Sequence, residues 1–328
     1  MERKSKPLQG LMAVIGFLVL IIDSRQALTG AVEGIELCMK TVIPSLFPFF
    51  VLSMMLTQSL DPHDTSIPAS VAEFLKIPPA ASSVLIPSVF GGYPVGAKCI
   101  GELYHEKQIT KCDAERLLGF CSNAGPAFLF GMISGLFPER KIIWLLWFIH
   151  IFSAAMTAVT IPDEITKTEN QHMNAKAPQN AIINSSAKAI CLVCCWVILF
   201  RIIVSFCKKW FLWIFPIWIQ VLFTGVLELT NGCCELLLIQ NLRLRFIMCS
   251  CMLAFGGICV VCQTAAVTEG LSLKSYIKGK IIQTSFSFLL SYVITAKQWV
   301  LLSCLVPLWC IILRKLQNKS GNPISVPV

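Results

Sequence analysis

The sequence predicts an all-α, polytopic membrane protein built of two related halves with broken or re-entrant helices. Three observations predict it: charge is scarce, long apolar segments alternate with short charged loops, and helix breakers cluster inside several apolar segments. Of 328 residues, 55% are hydrophobic and 14% charged, and the mean hydropathy is +0.72. A soluble domain carries about 25% charged residues because its surface must face water. No long polar block interrupts the pattern, which predicts one membrane unit and no separate soluble domain. The net charge of +9 does not point to nucleic acid. Basic residues such as Arg3, Lys4, Lys6, Arg140, Lys141, Lys208, Lys209, Arg314 and Lys315 flank apolar runs, as membrane anchors do, and no basic face carries interleaved aromatics.

A helix needs about 20 mostly apolar residues to cross the hydrocarbon core. The segments that qualify, in full or in part, are 8–22, 42–60, 80–100, 117–137, 142–161, 188–207, 210–228, 246–267, 281–296 and 299–313. Residues 8–22 follow a basic start like a signal peptide, but no small-x-small cleavage site follows, so they are expected to stay as a first span. If all ten segments cross, the loop charges, Lys274, Lys278 and Lys280 among them, place both termini in the cytoplasm. The polar stretch 162–187 reads as a linker between an N-terminal half (1–161) and a C-terminal half (188–315), with residues 316–328 as a cytoplasmic tail. Phe90-Gly91-Gly92-Tyr93-Pro94-Val95 resembles Phe255-Gly256-Gly257-Ile258-Cys259-Val260, 165 residues further on. That offset, close to half the chain, predicts an internal duplication, a common construction of transporter folds.

Within the segment 77–98, Pro78, Pro79, Pro87, Pro94, Gly91, Gly92 and Gly96 rule out one straight helix. An interior proline costs about 3 kcal/mol and a glycine about 1 kcal/mol against alanine. Broken backbone is tolerated at membrane depth only where protein or a water-filled cavity satisfies its polar groups. A hairpin or discontinuous helix with Gly92, Tyr93, Pro94 and Gly96 at its turn is therefore expected. Lys98 closes this segment; it either snorkels to the interface or binds an anionic group. A second break is expected at Ser122-Asn123-Ala124-Gly125-Pro126, where freed N–H and C=O groups and the Asn123 amide either pack across helices or hold a solute. In the second half Glu228 and Asn231, spaced to share a helix face, end an apolar run, with Glu235 one turn further. Gln263 and Thr264 follow the second Phe-Gly-Gly much as Ala97 and Lys98 follow the first.

The sixteen cysteines form no secreted framework, and Cys259-x-x-Cys262 lies in an apolar run without a nearby histidine, so it reads as packing. The four histidines are scattered, and no phosphate loop, zinc-protease motif or nucleophile elbow is present. No enzyme activity, metal or cofactor is expected.

Ile43-Pro44-Ser45-Leu46-Phe47-Pro48-Phe49-Phe50-Val51-Leu52-Ser53, Gly92-Tyr93-Pro94-Val95-Gly96-Ala97-Lys98 and Cys121-Ser122-Asn123-Ala124-Gly125-Pro126-Ala127-Phe128 occur in that order, followed by the later Phe-Gly-Gly stretch. In these segments the chain resembles the YlbJ family of sporulation integral membrane proteins, among the gate-domain (nucleoside recognition) membrane proteins of spore-forming Firmicutes. The resemblance implies a two-repeat helical gate like that of concentrative nucleoside transporters. It further implies a multi-pass protein of the mother-cell or forespore membrane that is needed for a normal spore cortex. It assigns no catalytic residue, and nothing in these residues selects a nucleoside. Two functions follow as expectations. The first is a transporter-like protein that moves or senses a small, nucleoside-like solute held between residues 91–98, 122–126 and 228–231. The second is a non-transporting scaffold in spore-envelope assembly, whose loops 102–116 and 162–187 would bind partners. Expected partners are membrane lipid, the solute, and either a second copy or other sporulation membrane proteins, with no nucleic acid.

Overall fold

A computed structural model describes residues 5–59, 69–161 and 179–297, and every regular element among them is helical. Helix α1 (Ser5–Ile22) turns at Asp23 into α2 (Ser24–Leu37), which continues through a wide π turn at Cys38–Val42 into α3 (Ile43–Ser59). The wide turn immediately precedes Pro44 and Pro48, whose rings clash with the preceding turn and whose nitrogens cannot donate. Later come the long helices α8 (Arg140–Thr160), α9 (Gln179–Trp210) and α14 (Lys274–Thr295). Four stretches are long and apolar enough to cross a membrane: Ser24–Leu52, Arg140–Thr160, Ile182–Trp210 and Leu242–Val267. Apolar side chains such as Phe17, Ile21, Ile22, Phe148 and Trp213 are exposed, a surface suited to lipid.

Helix α2 lies on α9 through Gly30 and Gly34, where a Cβ would stand 3.0 Å and 2.9 Å from the Cα atoms of Ile202 and Ile198. Small residues four apart let two backbones approach closely, which is how helices associate without a hydrophobic drive between them. Lys209 near the end of α9 binds Asp23 at 2.5 Å, a hydrogen bond that holds the Asp23 carboxyl below its ordinary range. Buried Ile182, Ser186, Ala189, Ile190 and Val193 repeat at helical spacing, so α9 takes in residues that read as polar linker. The 162–187 boundary is thus corrected: residues 179–187 are helix, and 162–178 lie outside the described residues. The predicted segment 299–313 and tail 316–328 also lie outside them.

Past the short helix α4 (Ala69–Phe74) the chain forms the first of two helical hairpins. The first joins a 3-10 turn (Pro79–Val84) and α5 (Leu85–Phe90) to α6 (Val95–His105) by a turn at Gly91–Pro94, with Gly92 at φ +79° and a cis Tyr93–Pro94 bond. The second joins α10 (Ile217–Leu227) to α11 (Leu229–Glu235) through Glu228 alone, and a methyl on Gly232 would overlap the Gly225 backbone. Arms of 11 residues, α6 and α10, reach about 16 Å at 1.5 Å per residue. That is half of the ~30 Å hydrocarbon core. Each hairpin is followed by an interrupted helix. The first runs as α7 (Lys111–Leu118), an open segment over Ser122–Gly125, and π and 3-10 turns over Ala127–Met132 and Ile133–Leu136. The second runs as α12 (Leu242–Phe255), a break at Gly256 with φ +81°, and α13 (Gly257–Val267).

The order long helix, hairpin, interrupted helix, long helix thus occurs twice, as α2–α3 through α8 and as α9 through α14. This corrects the pairing of the two Phe-Gly-Gly motifs. The first forms a hairpin turn and the second breaks a continuing helix, because Gly91-Gly92 is followed by Pro94 whereas Gly256-Gly257 is followed by helix-competent residues. Gln263 and Lys98 accordingly have no shared position in the two halves.

Candidate functional site

The turns of the two hairpins, the first helix break and α13 converge on one cavity of about 40 Å³, lined by Thr41, Ser45, Gly92, Tyr93, Ala124, Gly125, Glu228, Thr230 and Gln263 among apolar side chains. A buried water needs about 10–15 Å³ on this measure, so the cavity has room for about three waters. Five residues singled out by sequence meet here: Gly92, Tyr93, Gly125, Glu228 and Gln263. Glycine is required where the first break touches the first hairpin turn. A Cβ on Gly125 would stand 2.8 Å from the Gly92 nitrogen and 3.0 Å from the Phe90 oxygen, so no side chain fits between these backbones. Gly96 seats the first hairpin on the open segment, since a Cβ there would overlap the Cys121 carbonyl.

Glu228 is the acid of the cavity and is 2% exposed. Its backbone is extended (φ −147°, ψ 119°), and its carboxylate accepts from Thr230 N at 3.0 Å, Asn231 N at 2.7 Å and Asn231 Nδ2 at 2.7 Å. Glu228 therefore caps α11 and does not share a helix face with Asn231; the extended Glu228 is what allows a one-residue hairpin turn. Behind it, Asn231 Oδ1 accepts from Arg201 Nη1 at 2.9 Å, Arg201 pairs with Glu33 at 2.7 Å, and Lys208 pairs with Glu235 at 2.5 Å. These groups border an open recess of about 440 Å³ that also includes Thr41, which lines the inner cavity as well. Asn231 and Thr41 stand between recess and cavity. Gln263 donates to Cys259 Sγ at 3.3 Å.

The remaining sequence-predicted residues lie elsewhere. Lys98 points away from the cavity, bonding the Ser185 hydroxyl and carbonyl and lying 3.8 Å from Glu102. Pro94 stands beside Lys98, and Pro126 starts the π turn. Ser122 and Asn123 join a buried polar cluster behind Tyr93. There Asn123 Nδ2 donates to Phe120 O at 2.7 Å, Gln283 Nε2 donates to Asn123 Oδ1 at 2.9 Å, and Ala124 N donates to His150 Nε2 at 3.0 Å. At its centre is Lys280, 1% exposed, bonding the Ser122 carbonyl, Gln283 Oε1 at 2.8 Å and Tyr93 Oη at 3.2 Å, while Tyr93 Oη donates to Leu253 O at 2.9 Å. In the sequence Lys280 stands beside Lys274 and Lys278 as one more loop charge. The signal was present in the spacing: Tyr276, Lys280, Gln283 and Ser287 recur at three and four residues, and all are buried. Among the described residues no group of three or more His, Cys, Asp or Glu could hold a metal.

No family model and no solved structure matches the chain. The chain is similar to the sporulation integral membrane protein YlbJ of Bacillus subtilis (strain 168), with 30% identity over 153 residues, 44% of this chain. The match spans 36% of that protein's length. The likeness to the YlbJ family carried by the motifs is therefore shown by a curated relative, and it agrees with the apolar helices in making this a membrane protein.

Proposed function

We propose that the protein is a gated, transporter-like protein of the sporulating cell, not an enzyme, which binds a small solute between the two hairpin turns and is needed for a normal spore cortex. One observation carries the solute site: a buried carboxylate, Glu228, lines a cavity made where two hairpin turns meet the first helix break and α13. The cap on α11 takes three of the carboxylate's acceptor sites, and a carboxylate has about four, which leaves a place for one hydroxyl or N–H donor such as a nucleoside-like solute carries. The cavity is too small for that solute as it stands, so the hairpin turns must part for entry, with Asn231 and Thr41 at the threshold of the outer recess. The sporulating membrane is taken from the YlbJ likeness.

On this reading the hairpins are re-entrant and the halves are inverted repeats, as in the gate of concentrative nucleoside transporters. Parity supports it. If each half-depth hairpin returns to its own side, α2–α3, the first interrupted helix and α8 make three crossings before α9 begins. An odd number turns the second half over relative to the first.

The test deletes the gene in its host and measures cortex and heat resistance after complementation with wild type or Glu228→Gln, at matched protein levels. Rescue by wild type but not by Glu228→Gln is expected. Rescue by both would leave a scaffold role and end the solute site, while normal spores without the gene would end the sporulation role.

A further inference from the structure

Lys280 raises a question that the solute cavity does not answer. A fully buried lysine normally has an acidic partner, because desolvating an unpaired charge is costly. Among the described residues Lys280 has none. Its ammonium is held by three neutral oxygens: the Ser122 carbonyl freed by the helix break, the Tyr93 hydroxyl beside the first hairpin turn, and the Gln283 amide oxygen. The rings of Tyr93 and Tyr276 lie 4.9 Å and 5.7 Å from the ammonium, adding two more surfaces that attract cations.

These oxygens are aimed. Asn123 Nδ2 is committed to Phe120 O, so its oxygen faces Gln283. Gln283 spends its amide hydrogens on Asn123 Oδ1 and on His150 O at 3.4 Å, which turns its own oxygen toward Lys280. Tyr93 donates its hydroxyl hydrogen to Leu253 O, leaving a lone pair for the ammonium. A set of neutral oxygens gathered from an unwound backbone, a hairpin residue and a neighbouring helix is the donor set that broken helices offer to alkali cations. An alkylammonium is close to a potassium ion in size and charge.

We propose that this cluster is a monovalent-cation site which the chain fills with its own side chain, Lys280 standing where a free coupling ion would otherwise sit. Opening and closing of the first hairpin then needs neither Na+ nor K+. The proposal stands apart from the identity of the solute and from the sporulation role, since both can fail without moving the Lys280 cluster.

Thermal unfolding of the purified full chain in detergent tests it, in choline chloride, KCl and NaCl at equal ionic strength. Wild type is expected to melt at the same temperature in all three. Lys280→Ala is expected to melt lower in choline chloride and to regain at least half of the loss in KCl or NaCl, saturably. If Lys280→Ala does not accumulate, Lys280→Gln is put through the same salts. A wild type stabilised by K+ or Na+ over choline overturns the proposal, as does a variant indifferent to both ions. Wild-type stabilisation by chloride over gluconate also overturns it, by showing that the lysine recruits an anion.

Discussion

At the scale of the residue, burial and bonding separate side chains that look alike in sequence. Lys98 and Asn123 both read as binding groups in broken apolar segments. Asn123 holds Phe120 O and Gln283 inside the core, whereas Lys98 lies at the edge with Ser185 and Glu102. Asn123→Ala leaves two buried partners unmatched and is expected to destabilise the protein by about 1–3 kcal/mol. Lys98→Ala breaks a partly exposed pair and is expected to cost less than about 1 kcal/mol. Chemical denaturation in detergent, run on both variants side by side, checks the contrast. Glu228 was legible because an acid at the end of an apolar run is conspicuous. Its capping geometry was not, since the Glu228–Asn231 spacing suits a helix face as well as a cap. Lys280 was hidden by its neighbours Lys274 and Lys278, which make a buried cation look like one more loop charge.

At the scale of the element, glycine decides what can touch. Gly125 and Gly232 sit where backbones meet without room for a methyl, one between the first break and the first hairpin turn and one inside the second hairpin. Gly125→Ala and Gly232→Ala are each expected to cost about 1–3 kcal/mol or more, because backbone cannot shift cheaply. Gly16 in α1 has nothing within 4 Å. Gly16→Ala is expected to leave stability unchanged or raise it by up to about 1 kcal/mol through helix propensity. Melting temperatures of the three variants test the difference. The first hairpin and the first break were legible because Pro78, Pro79, Pro87, Pro94 and the Gly-Pro pair at 125–126 each forbid a straight helix. The second hairpin was not, since its turn is Glu228 alone and carries no proline or glycine. The likeness of the two Phe-Gly-Gly triplets then paired a hairpin turn with a helix break, which hold different places in the two halves.

At the scale of the whole molecule, composition and segment pattern were enough to predict an all-helical membrane protein, because lipid exposure constrains every stretch of surface alike. Which segments cross is a matter of length, and the half-length arms answer it differently from hydropathy alone. A reporter inserted in the full chain after Lys76 and another after Lys107 are expected to face the same side of the membrane, as are insertions after Phe215 and Gln240. Insertions after Lys107 and Pro138 are expected to face opposite sides. Protease accessibility in sealed vesicles reads all three pairs, and opposite faces for the first pair would make the first hairpin a full crossing. The cluster around Lys280 also bears on how such a chain changes over generations. Its bonds link residues of the first hairpin turn, the first break, α8 and α14, so that each holds a polar group of another. Altering one member strands its neighbour, so the order in which mutations arrive matters. Lineages that lose the lysine are expected to have changed Gln283 or Asn123 with it, and these positions should covary where neutral drift leaves other buried positions independent.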